Sequence, residues 1–121
     1  MPHTTESANT LERRECIAEC TACHTICTET VQHCLSLGGE HASPQHIRTL
    51  LDCAQVCQTS ADFLTRDSEF HASTCAVCAE ICRACEKECR SMARGDELMK
   101  KCADACANCA ESCDRMAGAT R

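Results

Sequence analysis

The segment CAVCAEICRACEKEC, residues 75–89, decides how this chain is read. Its cysteines, Cys75, Cys78, Cys82, Cys85 and Cys89, follow one another in steps of 3, 4, 3 and 4. That alternation tracks one face of an α-helix, where residues i, i+3 and i+4 come together. The pattern recurs on both sides. Cys102, Cys106, Cys109 and Cys113 step by 4, 3 and 4, as do Cys16, Cys20, Cys23 and Cys27. Cys34 and the pair Cys53 and Cys57 complete sixteen cysteines in 121 residues. Thiols thus hold the helix positions at which Leu and Ile ordinarily build a core.

Cysteine at this density usually marks a secreted, disulfide-stapled scaffold. Two features argue against that here. The opening MPHTTESANTLERRE is polar and charged, with no apolar run of the kind an export signal needs. And neighbours at i, i+3 or i+4 hold their Cβ atoms roughly 5–6 Å apart, whereas a disulfide needs roughly 3.5–4.5 Å. Metal fits the spacing better. With bonds of roughly 2.3 Å, two sulfurs on opposite sides of one ion are about 4.6 Å apart. A C-x-x-x-C step on a helix then makes a two-coordinate clamp. Thiolates select Cu(I), a soft ion content with few ligands. Zinc and iron–sulfur clusters usually take four ligands in a tetrahedral arrangement. Charge favours Cu(I) again: one Cu⁺ in place of each thiol proton leaves the core neutral, while each Zn–Cys₄ unit would bury two negative charges.

The length suits one domain, 1–121. Trp and Tyr are absent and the only aromatic residues are Phe63 and Phe70. The core is therefore narrow, built of Cys, Ala and scattered aliphatics, and bound metal adds stability to it. Net charge is −6 with acids and bases interspersed, and no basic block suggests nucleic acid. No apolar run approaches the roughly 20 residues of a membrane span. Free thiols in such number point to a reducing compartment, the cytosol.

Four helices are expected, about 9–37, 44–66, 68–94 and 96–117. Asn9 and Glu12 have capping-box spacing, and Gly38-Gly39 stop the first helix. Ser43-Pro44 open the second as N-cap and first helical residue. Asp67 or Ser68 caps the third, Gly95 ends it, and Asp96 caps the fourth, with Glu97 in its first turn. No strand signal is present. Short loops between such helices predict an all-α, antiparallel up-down-up-down four-helix bundle. CAVCAEICRACEKEC and CADACANCAESC resemble each other, and CIAECTACHTIC echoes them, which suggests repetition of a helical hairpin. The second helix has only two cysteines, and Leu50, Ala61 and Leu64 close its part of the seam.

Taken together, these steps on the first, third and fourth helices, with the isolated Cys53-x-x-x-Cys57 pair on the second, resemble the copper storage proteins, specifically the cytosolic type. The resemblance covers essentially the whole chain. It implies a Cys-lined bundle that stores many Cu(I) ions per chain on core thiolates, and a homotetramer.

Beyond the last cysteines, one end of the bundle gathers His46, Leu50, Met92 and Met99, with His41 in the nearby loop. The other gathers Leu11, Ile17, Phe63, Leu64, Phe70, His71 and Met116. Thioether and imidazole bind Cu(I) more weakly than thiolate, so His46, Met92, Met99 and His41 are expected as ligands of an entry mouth. Phe63 and Phe70 are expected as an apolar plug opposite, although His71 and Met116, also in phase, suit the reverse orientation. A methionine on a stripe is also ordinary core filler. His24 and His33 fall on the flank of the thiol stripe, and Glu86, Lys87 and Arg90 on the solvated face. Three other functions compete. Structural zinc or an iron–sulfur carrier calls for isolated tetrads rather than continuous stripes. A thiol redox enzyme needs one activated cysteine beside a base in a cleft, and sixteen near-equivalent thiols single out none. A plain interaction module gains nothing from so many oxidisable thiols.

Overall fold

A computed structural model of the chain describes residues 3–119, with side chains from 10 to 118. It contains four helices, α1 (His3–Leu37), α2 (Pro44–Thr65), α3 (His71–Ala93) and α4 (Glu97–Ala119), and one 3₁₀ turn, Gly39–Ala42. None of the described residues is in a strand. Each helix packs against two neighbours, α1 against α2 and α4, and α3 against α2 and α4. Cross-helix sulfur pairs fix the directions. Cys16 meets Cys113 while Cys27 meets Cys102, so α1 and α4 run antiparallel. Arg13 donates to the Leu64 carbonyl while Cys34 meets His46, so α1 and α2 do too. Cys57 meets Cys78 and Cys53 meets Cys82, which reverses α3 against α2. The result is an antiparallel up-down-up-down bundle. At 22 or 23 residues, α2–α4 are each about 33–35 Å long.

The turns follow from local chemistry. Gly38 and Gly39 take φ of 74° and 59° in succession, a left-handed path that side chains resist. Ser43 accepts a hydrogen bond from the His46 N–H, with Pro44 in the first turn. Asp96 caps α4 through the Met99 N–H at 3.0 Å.

Two helix starts differ from expectation. α1 begins at His3, so Asn9 lies inside the helix, and its side chain falls outside the described residues. No Gly or Pro interrupts His3–Leu37, so nothing obliges the helix to begin at the capping signal. α3 begins at His71 rather than near Ser68. Asp67 instead takes a left-handed φ of 55° beyond the end of α2, and the Ser68 hydroxyl bonds to the Phe70 N–H within the turn.

All sixteen cysteines are fully buried on the bundle axis, joined by Leu50, Leu64 and Met99. Alanines such as Ala54, Ala79, Ala103 and Ala110 line the helix contacts and allow close approach. The outer faces are charged. Arg83–Asp114 and Arg90–Asp104 strap α3 to α4, and Arg115 reaches Glu15. Exposed pairs of this kind add little to stability. Among the described residues, no helix is long and apolar enough to cross a membrane.

Candidate metal centre

The 3–4 spacing turns every cysteine of one helix toward the same axis, and four helices deliver these stripes to a common seam. All sixteen thiols are free. Sulfurs four residues apart lie at 4.0 Å (Cys16–Cys20), 3.9 Å (Cys23–Cys27) and 3.9 Å (Cys78–Cys82). Sulfurs on different helices come equally near, as in Cys109–Cys20 at 3.6 Å and Cys57–Cys82 at 3.7 Å. The i, i+4 pairs are thus closer than the about 4.6 Å of a linear S–metal–S unit and match the about 4.0 Å edge of a three-coordinate one, both from a 2.3 Å bond. Neighbouring helices bring further sulfurs within the same range.

The sulfurs form tetrads within which all four lie inside 4.8 Å of one another. Cys20, Cys78, Cys109 and Cys113 make one, and Cys57, Cys78, Cys82 and Cys109 the next. Then come Cys23, Cys53, Cys57 and Cys82, followed by Cys23, Cys27, Cys53 and Cys106, and by Cys27, Cys85, Cys102 and Cys106. Each tetrad shares two sulfurs with its successor. The site is a chain of edge-sharing tetrads along the axis, suited to bridging thiolates.

Burial shapes the acidity of these thiols. It pushes Cys34 up to about 11, aided by the negative charge of Asp96. At Cys75 a hydrogen bond from Cys113 works downward, but Cys16 and burial outweigh it and hold the thiol at about 12. Cys102 moves the other way, because hydrogen bonds from Cys106, Cys27, Cys85 and Cys89 stabilise its thiolate.

At the α1–α2 turn end, three soft donors converge. Cys34 Sγ lies 3.5 Å from His46 Nε2 and 3.5 Å from Met99 Sδ. All three residues are fully buried. His46 Nδ1 sits 2.9 Å from Glu88 Oε1, whose other oxygen accepts from Thr49 at 3.2 Å. A carboxylate only accepts, so Nδ1 carries the hydrogen and Nε2 presents its lone pair to the thiol. Met92 is only partly buried, packed on the edge of the core. His41 Nε2 bonds the Met92 carbonyl at 3.3 Å, so this ring braces the rim and does not reach a thiol. His33 pairs with Asp96 at 2.7 Å, and His24 Nδ1 bonds the Ala54 carbonyl at 2.8 Å; both are flank residues, as their phase indicates.

The far end lacks the expected aromatic plug. Phe70 is 61% exposed, and Phe63 is half-buried beneath the Arg66 guanidinium, 5.1 Å from its ring centre. Leu11 is exposed as well. Leu64, His71 and Met116 close this end instead. Phe70 was misplaced because the late start of α3 leaves it in the turn, off the helix face. Sequence reasoning also missed Glu88 and Thr49. Glu88 sits among solvated charges, and only its neighbour across the bundle reveals its use.

A family model described as "copper storage protein" matches residues 9–118. A curated Bacillus subtilis relative, an uncharacterised cysteine-rich protein, is 35% identical over 66 residues; the alignment spans 54% of this chain and 61% of that protein's length. A crystal structure from Nitrosospira multiformis is 39% identical, with a TM-score of 0.84 over 89% of this chain and 96% of that one. A Cu(I)-bound copper storage protein is 34% identical (TM-score 0.81, 88% and 99% covered). A cytosolic copper storage protein from Streptomyces lividans carrying five coppers is 30% identical (TM-score 0.80, 92% and 96% covered).

Proposed function

The chain belongs to the copper storage protein family, and on that premise we propose that it is a cytoplasmic, non-catalytic Cu(I) store whose sixteen core cysteines hold many ions per chain. The observation that carries this reading is the sharing of sulfurs between successive tetrads. Each incoming Cu⁺ displaces one thiol proton, so charge stays balanced as the core fills, at a scale of about one ion per thiol. Separate tetrathiolate sites fit less well. Among the tetrads above, only three have no member in common, and they leave Cys16, Cys34, Cys75 and Cys89 unused. No thiol stands alone beside a base in an open cleft, as a redox catalyst would require. Reduced thiols suit the cytoplasm.

Copper enters, in this reading, at the Cys34/His46/Met99 end. Imidazole and thioether hold Cu(I) less firmly than the thiolates behind them, so an ion received there passes inward to better ligands. Glu88 keeps His46 in the tautomer that can bind. The assembly is a homo-oligomer, a tetramer as the family resemblance implies. A groove between α2 and α3 lined by Val56, Val77 and Ile81, with Leu51 and Val77 half-exposed, offers an apolar face for that contact.

Anaerobic titration of the reduced protein with Cu(I) against a competing chelator tests the store. Binding on the order of one ion per thiol is expected. Saturation at about three or four ions, with Zn²⁺ displacing Cu⁺, means isolated tetrathiolate sites instead. Sedimentation of the same sample reads the oligomeric state.

A further inference from the structure

Of the five buried polar side chains among the described residues, three are fully partnered. His46 pairs with Glu88, Thr30 donates to the Ile26 carbonyl, and Ser60 to the Thr74 carbonyl. Among the described residues, His71 Nε2 and Ser112 Oγ are buried with none. Both lie at the end of the bundle opposite His46.

His71 opens α3 and is 6% exposed. Its Nδ1 lies 2.8 Å from the Ser68 carbonyl oxygen in its own turn. A carbonyl only accepts, so Nδ1 is the protonated nitrogen and Nε2 holds a free lone pair. A backbone carbonyl that fixes the ring and tautomer in this way is the usual support behind a metal-binding imidazole. The residue sits one turn before Cys75, on the stripe that continues through Cys78 and Cys82. Cys75 belongs to the outermost thiol layer with Cys16 and Cys113, whose sulfurs are 3.7 Å apart. Met116 continues the Cys113 stripe outward and is 4% exposed. Ser112 neighbours Cys16.

We infer that His71 Nε2 is a Cu(I) ligand in a mixed nitrogen–sulfur site at this end, completed by the thiolates of Cys75 and Cys113. The inference rests on the core being a Cu(I) store and extends it to a site that is not all-thiolate. Proton balance distinguishes the ligand types. Cys75 and Cys113 lose their S–H protons as Cu⁺ fills this site and the next one inward, one proton per ion, while the imidazole binds through a lone pair it already has and releases none. The site therefore terminates the cluster chain with a neutral ligand. That fits the chemistry of an end, where a thiolate would have no second ion to bridge.

The test uses the full-length reduced protein with ¹⁵N-histidine, loaded anaerobically with Cu(I), a diamagnetic ion. Without metal, the His71 Nε2 resonance is expected at the position of an unprotonated ring nitrogen. With full loading it is expected to move toward the metal-bound range, while Nδ1 remains protonated. His71→Leu is expected to bind about one ion fewer per chain, with the all-thiolate ions retained. A core that fills to wild-type level while the His71 Nε2 resonance stays unmoved overturns this inference and leaves the storage reading intact. A core that takes up no Cu(I) overturns both.

Discussion

Glu88 Oε1 accepts a hydrogen bond from His46 Nδ1 at 2.9 Å, and through it α3 orients a ring buried in the first turn of α2. The carboxylate fixes the tautomer that leaves Nε2 unprotonated, facing Cys34. Glu88→Gln keeps the shape but lets the amide donate as well as accept, which weakens the tautomer preference. Uptake of Cu(I) in stopped flow is expected to slow by about tenfold, with final capacity unchanged. Uptake at the wild-type rate would separate Glu88 from the entry route.

The metal-free, reduced chain is expected to be helical already. Gly38-Gly39, Ser43-Pro44 and the Asp96 cap specify the helix ends without metal. Far-ultraviolet circular dichroism should barely change on loading, while Tm rises because Cu(I) binds the folded state preferentially. A random-coil spectrum before loading would instead indicate folding around the metal.

Alkaline pH separates the metal-free and loaded forms. Cys34 and Cys75 are held at about 11 and about 12 in the folded chain, against about 8.5 unfolded. A pKa raised by folding contributes stability that is fully present below the unfolded value and is lost as pH rises through the folded one. The metal-free protein is therefore expected to lose stability between about pH 8.5 and 12. The loaded protein, whose thiols carry no proton, is expected to change little over that range. Urea midpoints at a series of pH values read the difference; parallel curves for the two forms would count against it.

Much of this architecture was legible because cysteine is rare enough for its periodicity to stand out. The 3–4 steps located the stripes of α1, α3 and α4, and the paired glycines and capping residues bounded most turns. The start of α1 escaped because a capping residue favours a helix end without compelling one. The far end escaped for a different reason. Phe63 and Phe70 were placed there by extending the stripes past the last cysteines, whereas the turn at Asp67–Phe70 carries Phe70 out of phase and leaves Leu64, His71 and Met116 inside. Glu88 and Ser112 acquire their roles only from residues on other helices, and no single-helix pattern records that.

Asp96 gives a test at the acid side. His33 at 2.7 Å and the Met99 N–H hold its carboxyl below the usual range. A depressed carboxyl contributes stability above its unfolded value, about 4, and loses it as pH falls through the lower folded value. Asp96→Ala is expected to cost about 1 kcal/mol at pH 7 through loss of the cap. The gap from wild type should narrow as pH falls below about 4, as read from denaturant midpoints. A gap that persists undiminished there would mean that the charge of Asp96 contributes nothing.

The orientation of copper traffic can be decided by exchange kinetics. His46 and Met99 flank Cys34 at 3.5 Å, whereas Met92 is only partly buried and lends its carbonyl to His41. Replacing His46 and Met99 together with Leu removes the imidazole and the thioether beside Cys34 and keeps every thiol. Chelator-driven release and uptake are expected to slow by about tenfold, while capacity stays within about one ion per chain, since thiolates set it. Met92→Leu alone is expected to matter much less. Met116→Leu at the opposite end serves as the matched control, because it alters a buried thioether of equal size beside the last thiols. If that control slows exchange while the His46/Met99 variant exchanges normally, copper enters beside His71 and the direction of filling is reversed, although the store itself survives. If neither variant slows exchange, ions reach the thiols through transient separation of the helices, and the mouth residues are end packing.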